Sequence, residues 1–402
     1  MKPIKSLISL EQAKELLSSH VVPVDRIEQV GLLAAHTRVL AGTIVAPIDV
    51  PPFDRAAMDG YAVRAEDTFS AGGMHPVILG VNGFVPAGVV SEQLVDQGSC
   101  IQVATGSPLP GGADAVVMVE DTEEENTGHI RVYKAVHPRA NVSSAGADIK
   151  QGEQVLTEGD VLTPSRIGTL AALGMASVDV YVRPRVAVIS SGEEIVVPGQ
   201  PLTPGRIYDV NSYTIASLVE ENGCIPEIQA KLGDNLDDII QGVRKVHDVD
   251  LIVITGGSSV GERDLIGQAI GELGRLLFHG IAVKPGKPTL AADIEGTLLI
   301  GMPGYPTSCL TNGYELLVPV MRRLARLPVR IQHRVTVPIA RRITSTLGRY
   351  QLLPVRMSDG EAVPVFKESG AITSMSKAEG YVAIPANVDL LEKGDEIEVI
   401  LL

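Results

Sequence analysis

A glycine-rich loop directly after a strongly apolar run is the clearest sign of chemistry in this sequence. Residues 251–254 are all apolar, which is typical of a strand buried on both faces of a parallel sheet. The next seven residues include Gly256, Gly257 and Gly261. Glycine lets backbone amides approach an anion, and Asp264 just beyond can hold a hard cation against phosphate oxygens. The segment predicts a site for a phosphorylated ligand, with a tight turn that binds nothing as the alternative.

Four other loops that follow predicted strands also combine glycine with acidic, basic or hydroxyl side chains. They are residues 190–194, 233–234, 284–288 and 301–308. Because ligands of open parallel sheets bind beyond the carboxyl ends of the strands, we expect these loops to share one anionic ligand. Glu194, Asp234 and Asp264 offer the oxygen donors that Mg²⁺ prefers. Lys284 and Lys287 suit phosphate or another oxyanion, with a solvated basic turn as the alternative.

A nucleophile motif offers a competing hypothesis. Residues 257–261 match the Gly-x-Ser-x-Gly elbow of α/β-hydrolases, which would make Ser259 a nucleophile. The histidine that this mechanism needs has one well-separated candidate, His333, in the β-rich tail. Neither the P-loop pattern nor Gly-x-Gly-x-x-Gly is present.

Composition excludes several classes of partner. A net charge of −14 over 402 residues argues against nucleic acid and anionic membranes, and the absence of tryptophan argues against base stacking. No apolar run reaches the ~18 residues of a membrane helix, and the first residues do not form a signal peptide. Three widely spaced cysteines suggest a reducing cytoplasm, and eight scattered histidines do not suggest zinc.

The pattern of apolar residues predicts the elements that position these loops. Ser9 with Gln12 and Asp25 with Glu28 have capping-box spacing, so we expect two N-terminal helices. Short β segments fill about residues 47–142. Strands then alternate with helices, with residues 281–283 as one of the strands, which predicts a doubly wound and mostly parallel sheet. A small β-domain follows Pro328.

Two further loops lie in the N-terminal half, at residues 51–63 and 104–112. The first contains Asp54, Arg55 and Asp59, and the second contains Thr105 and several glycines. Taken separately, each is more typical of a structural loop than of a functional site.

Together these segments resemble the molybdopterin molybdenumtransferase family, which includes MoeA in bacteria and the E domain of gephyrin in animals. The resemblance covers essentially the whole chain, and the motifs occur in the family's order. They are residues 52–63, 105–120, 146–149, 190–195, 205–213, 233–234, 255–264, 283–288 and 301–308.

The resemblance implies a homodimer whose subunit has four parts. These are a linking region at 1–46 and 144–177, an inserted β-rich domain at 47–143, a molybdopterin-binding α/β domain at 178–327 and a C-terminal β-barrel at 328–402. It also implies the reaction. The reaction starts from adenylylated molybdopterin and molybdate. In the presence of Mg²⁺, the phosphoanhydride is cleaved, AMP leaves, and molybdenum is delivered to the dithiolene sulfurs.

The family's functional residues carry over to matching positions. The resemblance assigns catalytic roles to Asp59, Asp148, Glu194 and Asp264, and metal binding to Glu194, Asp234 and Asp264. It assigns substrate contacts to Thr105, Asp234, Gly256, Gly257, Ser258, Lys284, Lys287, Pro303 and Pro306. It further implies that Asp59 of one subunit meets Asp264 of the other.

Several positions depart from the family pattern. Ala147, Ser191 and Glu193 replace the usual Glu, Thr and Asp, and Tyr305 replaces a small amide beside the expected pterin or oxyanion pocket. A preference for tungstate is therefore an alternative to molybdate. A scaffolding role and an inactive pterin carrier are the non-enzymatic alternatives. Residues 369–371 fit the family's Gly-Ser loop only loosely, and no role is assigned there.

Overall fold

The computed structural model describes residues 7–126, 128–233, 235–256 and 265–402. The chain divides into two compact units. The large unit comprises Met1–Glu28, Thr37–Val39 and Asp179–Leu402, and the small unit comprises Gln29–His36 and Leu40–Val178. The strands Ile27–Gly31 and Ser177–Tyr181 each contain residues of both units.

A six-stranded sheet forms the centre of the large unit. Its strands in spatial order are Ile225–Ile228, Arg185–Ser190, Leu251–Thr255, Thr297–Met302, Leu290–Ile294 and Arg275–His279. The first four strands are parallel, and the last two run antiparallel to their neighbours. The predicted, mostly parallel sheet is thus confirmed, with an antiparallel edge that the sequence analysis did not predict.

Helices cover both faces of this sheet. They are Leu10–His20, Asn211–Glu221, Leu236–Arg244, Leu265–Leu273, Pro306–Asn312 and Val318–Leu324, the last two joined by the π-helical turn Gly313–Leu317. Side chains alternate along each strand: Leu251 and Val253 enter one core, while Ile252 and Ile254 enter the other. The doubly wound arrangement follows from this alternation, because a strand covered on both faces must be apolar throughout.

Local capping explains where several helices begin. The Ser9 hydroxyl accepts the Gln12 amide hydrogen at 3.1 Å while the Gln12 side chain accepts that of Ser9, which is the predicted capping box. Asn235 Oδ1 accepts a hydrogen bond from the Asp238 amide at 2.9 Å and begins the helix Leu236–Arg244.

The C-terminal part of the large unit is a closed barrel. Its strands are Val283–Lys284, Arg334–Pro338, Tyr350–Ser358, Glu361–Pro364, Gly380–Ile384 and Glu396–Leu401, with the pair Ile343–Thr344 and Leu390–Leu391 and the short helix Thr373–Ser376 beside them. A bridge between Ile339 and Ala362 joins the ends of the sheet, and the interior is apolar. The β-barrel prediction is confirmed.

Two predicted elements are wrong. Residues 281–283 do not belong to the central sheet, because the strand Val283–Lys284 pairs with Tyr350–Ser358 of the barrel. The second N-terminal helix does not form either. That segment is the strand Ile27–Gly31 followed by a 3₁₀ turn at Leu32–Ala34, so the Asp25 and Glu28 spacing was a false capping signal.

The small unit contains a second six-stranded sheet. Its spatial order is Ala115–Met118, Gly60–Val63, Ser99–Val103, Val77–Val85, His129–Val132 and Thr122–Asn126. Smaller pairs join Ile44–Val45 with Gln154–Leu156 and Arg55–Ala56 with Val142–Ser143, and one helix spans Pro164–Ala172. Apolar clusters pack on both faces of the sheet. Within the described part of the chain, no helix has the length and apolar character needed to cross a membrane.

Candidate functional site

The four parallel strands of the large unit end side by side. The Ser191 amide donates to the Thr255 carbonyl at 3.0 Å, and the Gly256 amide donates to the Met302 carbonyl at 3.2 Å. On the other side, the Leu232 amide donates to the Ser190 carbonyl at 2.9 Å. Four of the five loops singled out in the sequence therefore begin next to one another. We call this edge of the sheet, with the loops that leave it, the carboxyl edge.

Residues 284–289, which we call the lysine loop, reach the carboxyl edge by a different route from the one expected. The loop does not follow a parallel strand but leads into the antiparallel strand Leu290–Ile294. Because that strand is antiparallel, its first residue, Leu290, lies opposite Gly301 at the end of its neighbour. Lys284 and Lys287 thus lie just before a strand that starts where the parallel strands finish.

Two hydrogen bonds from one asparagine fix the shape of the lysine loop. Asn312 Nδ2 donates to the Gly286 carbonyl at 3.1 Å and to Thr289 Oγ1 at 2.8 Å. Gly286 has a φ of 109°, and a Cβ there would lie 2.2 Å from Asn312 Nδ2, so only glycine fits. The Lys284 ammonium donates to Thr346 Oγ1 at 2.9 Å. These contacts fix the backbone of the loop and the position of the Lys284 ammonium group.

Close backbone packing also requires glycine at the start of the glycine-rich loop. Gly256 has a φ of 87°, and a Cβ at this position would lie 2.8 Å from the Ser191 carbonyl oxygen. Gly256 therefore lets the loops of two neighbouring strands approach closely at the carboxyl edge.

Several buried polar atoms at the carboxyl edge have no hydrogen-bond partner among the described residues. They are Ser191 Oγ, Asn211 Oδ1, Ser212 Oγ and Asn312 Oδ1. The Asn211 amide group is held in place, because its Nδ2 donates to the Gly304 carbonyl at 2.8 Å. An unsatisfied buried polar atom costs about 1–3 kcal/mol, so a cluster of them points to a ligand that completes the hydrogen bonds.

Glu194 is suited to binding a cation. Its carboxylate lies against the backbone of Gly192, where a Cβ would come within 2.7 Å of Oε2. The side chain is exposed, and no hydrogen bond or ion pair of the described residues involves its carboxylate. Two hard oxygen donors are therefore available at the carboxyl edge, which fits the chemistry of Mg²⁺.

Five of the predicted site positions lie outside the described residues. They are Asp234, Gly257, Ser258, Ser259 and Asp264. Two of the three predicted metal ligands are among them. The described residues alone contain no group of three or more His, Cys, Asp or Glu side chains that could hold a metal ion.

The proline-rich loop after the last parallel strand contacts the barrel. Pro303 is buried, and Pro306 is the first residue of the helix Pro306–Asn312. The Thr307 amide donates to the Ser369 carbonyl at 3.1 Å, and Thr307 Oγ1 donates to the Ala371 carbonyl at 2.9 Å. Residues 369–371, to which the sequence analysis gave no role, therefore border this loop. Tyr305 is 65% exposed at the same place.

In the small unit, Asp59 is hydrogen-bonded to Thr105. The Thr105 amide donates to Asp59 Oδ1 at 2.7 Å, and the Thr105 hydroxyl donates to the same oxygen at 3.0 Å. The backbone bond, and then the hydroxyl bond, lower the pKa of Asp59 below its usual value. The two residues thus form a unit in which an exposed carboxylate is held ionised.

A second pair orders the neighbouring loops of the small unit. Asp54 accepts hydrogen bonds from the Arg139 guanidinium and, at 2.8 Å, from the Ala145 amide. These contacts lower the pKa of Asp54 to about 2. The Asp148 amide donates to the Val50 carbonyl at 3.0 Å, and the Asp148 side chain is exposed. The segments 51–63, 104–112 and 146–149 are therefore packed together within this unit.

Some polar residues at the carboxyl edge were not predicted from the sequence. Asn211 lies in a motif that carries the family resemblance, but no role was assigned to it. Asn312 and Thr346 contact the lysine loop from a helix and from the barrel, which nothing in their local sequence indicates. Their positions depend on long-range packing.

The fold and the carboxyl edge define the class of the protein. A doubly wound sheet with polar loops at its carboxyl edge is a ligand-binding α/β architecture. Three family models match along the chain: "MoeA N-terminal region (domain I and II)" at residues 8–174, "Probable molybdopterin binding domain" at 187–323 and "MoeA C-terminal region (domain IV)" at 336–402. The chain belongs to the MoeA family.

Individual relatives agree with this assignment. A molybdopterin molybdenumtransferase 2 of Mycobacterium tuberculosis is 33% identical over 381 residues, covering 92% of this chain and 94% of the relative. A molybdopterin molybdenumtransferase of Staphylococcus aureus is 32% identical, with coverages of 92% and 90%. The crystal structure of a molybdopterin biosynthesis MoeA protein from Pyrococcus horikosii has a TM-score of 0.86 and 41% identity, and covers 98% of this chain and 99% of its own.

Proposed function

We propose that this protein is a molybdopterin molybdenumtransferase that acts on adenylylated molybdopterin and molybdate, and that it releases AMP. Membership of the MoeA family supports the transferase role in molybdenum cofactor biosynthesis. The observation that carries the proposal is the set of polar groups at the carboxyl edge. There, buried polar atoms that have no partner among the described residues lie beside a lysine loop fixed by Asn312. Anionic oxygens of the substrate can accept from the Ser191 and Ser212 hydroxyls, and N–H groups of the pterin can donate to Asn211 Oδ1 and Asn312 Oδ1.

The lysines and the loop backbone bind the anionic parts of the substrate in this proposal. Lys284 and Lys287 neutralise phosphate or oxyanion charge, while the loop from Gly256 to Ser258 offers backbone amides. Pro303 and Pro306 border the substrate. Asp234 and Thr105 complete the proposed contacts with substrate.

Glu194, Asp234 and Asp264 would hold Mg²⁺. When bound, the cation neutralises charge on the pyrophosphate group of the substrate. The carboxylate of Glu194, which is exposed and has no partner among the described residues, supports this role. Glu194 and Asp264 are also catalytic residues in the proposal, together with Asp59 and Asp148.

Glu194→Gln tests the cation site, with Glu193→Gln as a matched control. Both changes remove one acid from the same exposed loop. AMP release from adenylylated molybdopterin is measured at limiting Mg²⁺ with molybdate present. We expect Glu194→Gln to slow release about 100-fold, since metal positioning contributes a few kcal/mol, and Glu193→Gln to change it little. Equal rates for the two variants would remove Glu194 from the site.

The choice of oxyanion is tested in the same assay. Tyr305 replaces a small amide at the carboxyl edge and is largely exposed there. We propose molybdate as the substrate, and turnover with molybdate is compared with turnover with tungstate at equal concentrations. Faster turnover with tungstate contradicts the molybdate proposal. Tyr305→Asn then shows whether the aromatic ring causes the preference.

We also propose that the protein is a cytoplasmic homodimer in which Asp59 of one subunit and Asp264 of the other act on one substrate. This proposal rests on the family resemblance. Asp59→Asn and Asp264→Asn homodimers should each be nearly inactive. After subunit exchange, half the dimers are mixed and each has one intact site, so about a quarter of the activity should return. Mixed dimers, counted by native mass spectrometry, that remain inactive would contradict it.

The α/β-hydrolase alternative gains no support. Ser259 lies outside the described residues, and His333 precedes the barrel strand Arg334–Pro338, where its carbonyl accepts the Leu401 amide at 2.9 Å. Labelling of Ser259 by a fluorophosphonate, together with loss of AMP release, would favour the hydrolase instead.

A further inference from the structure

A basic pocket lies in the large unit at a distance from the carboxyl edge. Its volume is about 820 Å³, which falls within the range of small-molecule sites. The helical segment that begins with Pro306 at the carboxyl edge reaches Arg322 sixteen residues later, a rise of about 24 Å. Five arginines line this cavity, which we call the arginine pocket: Arg322, Arg323, Arg326, Arg330 and Arg334.

Positive charge in the arginine pocket is incompletely balanced. Arg334 pairs with Glu398 at 2.6 Å, and Arg330 lies 3.6 Å from Glu221. Among the described residues, the other three arginines have no carboxylate partner. Such a concentration of guanidinium groups is unexpected in a chain with a net charge of −14. Their mutual repulsion is relieved if an anion binds between them.

Arg322 shows the imbalance most clearly. Its Nε donates to the Pro328 carbonyl at 2.7 Å, and its Nη1 lies 3.5 Å from Asn222 Oδ1, so both partners are neutral. Burial, and then the nearby charge of Arg330, lower the pKa of Arg322, and the charge of Glu221 offsets this only in part. A partly buried cation whose hydrogen-bond partners are all neutral is costly, and a bound anion would reduce that cost.

Apart from Ser18 and Gln332, the rest of the wall is apolar and aromatic. The Arg330 guanidinium lies over the Tyr314 ring at 5.5 Å from its centroid, and Val318 and Ile400 contribute aliphatic surface. Val329 at the rim is 88% exposed. An inorganic ion would use only the guanidinium groups. The apolar wall suits a ligand with an organic body as well as anionic oxygens.

We propose that the arginine pocket binds a small organic phosphate of about mononucleotide size, separately from the carboxyl edge. Each planar guanidinium group can donate two parallel hydrogen bonds to phosphate oxygens. The organic body lies against Tyr314 and the aliphatic wall. The site is distinct from the proposed transferase site and does not depend on it.

AMP, adenosine and inorganic pyrophosphate serve as probes in calorimetric titrations of the full chain, with EDTA present to exclude cation-dependent binding. We expect AMP to bind and adenosine, which lacks the phosphate, not to bind. Arg330→Gln and Arg323→Gln should each weaken AMP binding about 10-fold or more, because a charge-assisted hydrogen bond is lost. Arg342→Gln is the matched control, since Arg342 is 65% exposed on the barrel and does not line the pocket. Melting temperatures verify that each variant is folded.

Lys287→Met separates the two sites. AMP affinity unchanged in Lys287→Met and reduced in both arginine variants supports the arginine pocket. Affinity lost in Lys287→Met and kept in the arginine variants places AMP at the carboxyl edge and overturns the proposal. If pyrophosphate binds and AMP does not, the proposal that the ligand has an organic body is wrong. If adenosine binds with the same affinity as AMP, the proposal that the pocket recognises phosphate is wrong.

Discussion

Replacing Gly286 by alanine tests how the lysine loop is held. The backbone at Gly286 has a φ of 109°, and an added Cβ would lie 2.2 Å from Asn312 Nδ2. Gly296 is a matched control, because it has a φ of 90° and a Cβ there would contact nothing within 4 Å. Both alanine variants carry the conformational cost of positive φ, about 1–2 kcal/mol. Only Gly286→Ala adds a steric clash.

The clash sets the size of the expected difference. Overpacking a filled site costs about 1–3 kcal/mol, and moving Asn312 also breaks its bonds to Gly286 and Thr289. We therefore expect Gly286→Ala to lower the free energy of unfolding by about 1–3 kcal/mol more than Gly296→Ala does. Urea unfolding followed by circular dichroism measures the difference. Equal destabilisation by both variants would refute the proposed role of Asn312 in shaping the loop.

Three other predictions concern single side chains. Lys287→Met should weaken molybdate binding, measured by calorimetry, while the melting temperature changes little; the reverse pattern would make the loop a structural turn. Arg139→Gln should raise the pKa of Asp54, measured by NMR titration. The pKa of Asp54 is lower in the folded protein than in the unfolded chain. The pair with Arg139 therefore stabilises the folded protein at pH values above about 4, the pKa of the unfolded chain, and this stabilisation is lost as the pH falls toward 2. Both groups are more than a third exposed, so the loss should be below about 1 kcal/mol, and a larger acid loss that depends on Arg139 would contradict this. Tyr381→Phe should lower stability by about 1–3 kcal/mol in thermal unfolding, since it removes the 2.6 Å bond to buried Glu315; no change would show that Glu315 needs no such donor.

The central sheet was predictable because its strands are short apolar runs ended by glycine loops. The strand Arg185–Ser190 and the run at 251–254 are covered on both faces, and such strands show little alternation of polar and apolar residues. Strand direction is not encoded in this pattern. The first residues of the strand Leu290–Ile294 are buried, as they would be in a parallel strand. Its antiparallel pairing could therefore not be inferred from the sequence.

The candidate site was predictable only in part for a related reason. Glycine, acid and lysine at strand ends identified the carboxyl edge because topology brings parallel strand ends together. The partners that fix those loops come from elsewhere in the fold. Asn312 lies within a helical segment and Thr346 follows a barrel strand, and neither position has a local signal. The false helix at residues 25–34 shows the same limit, since tertiary pairing overrode a local capping pattern.

The chain path through the lysine loop has a mechanical consequence. Val283–Lys284 is a strand of the barrel, anchored where the Tyr350 amide donates to the Ala282 carbonyl at 2.8 Å, whereas Leu290 begins a strand of the central sheet. Residues 285–289 are therefore a short tether that can extend to about 20 Å at most. Because Lys284 belongs to a barrel strand and its ammonium donates to Thr346 of the barrel, a displacement of the barrel relative to the central sheet would carry Lys284 with it. The placement of the barrel therefore determines how far Lys284 lies from the strand ends, where anionic groups are expected to bind.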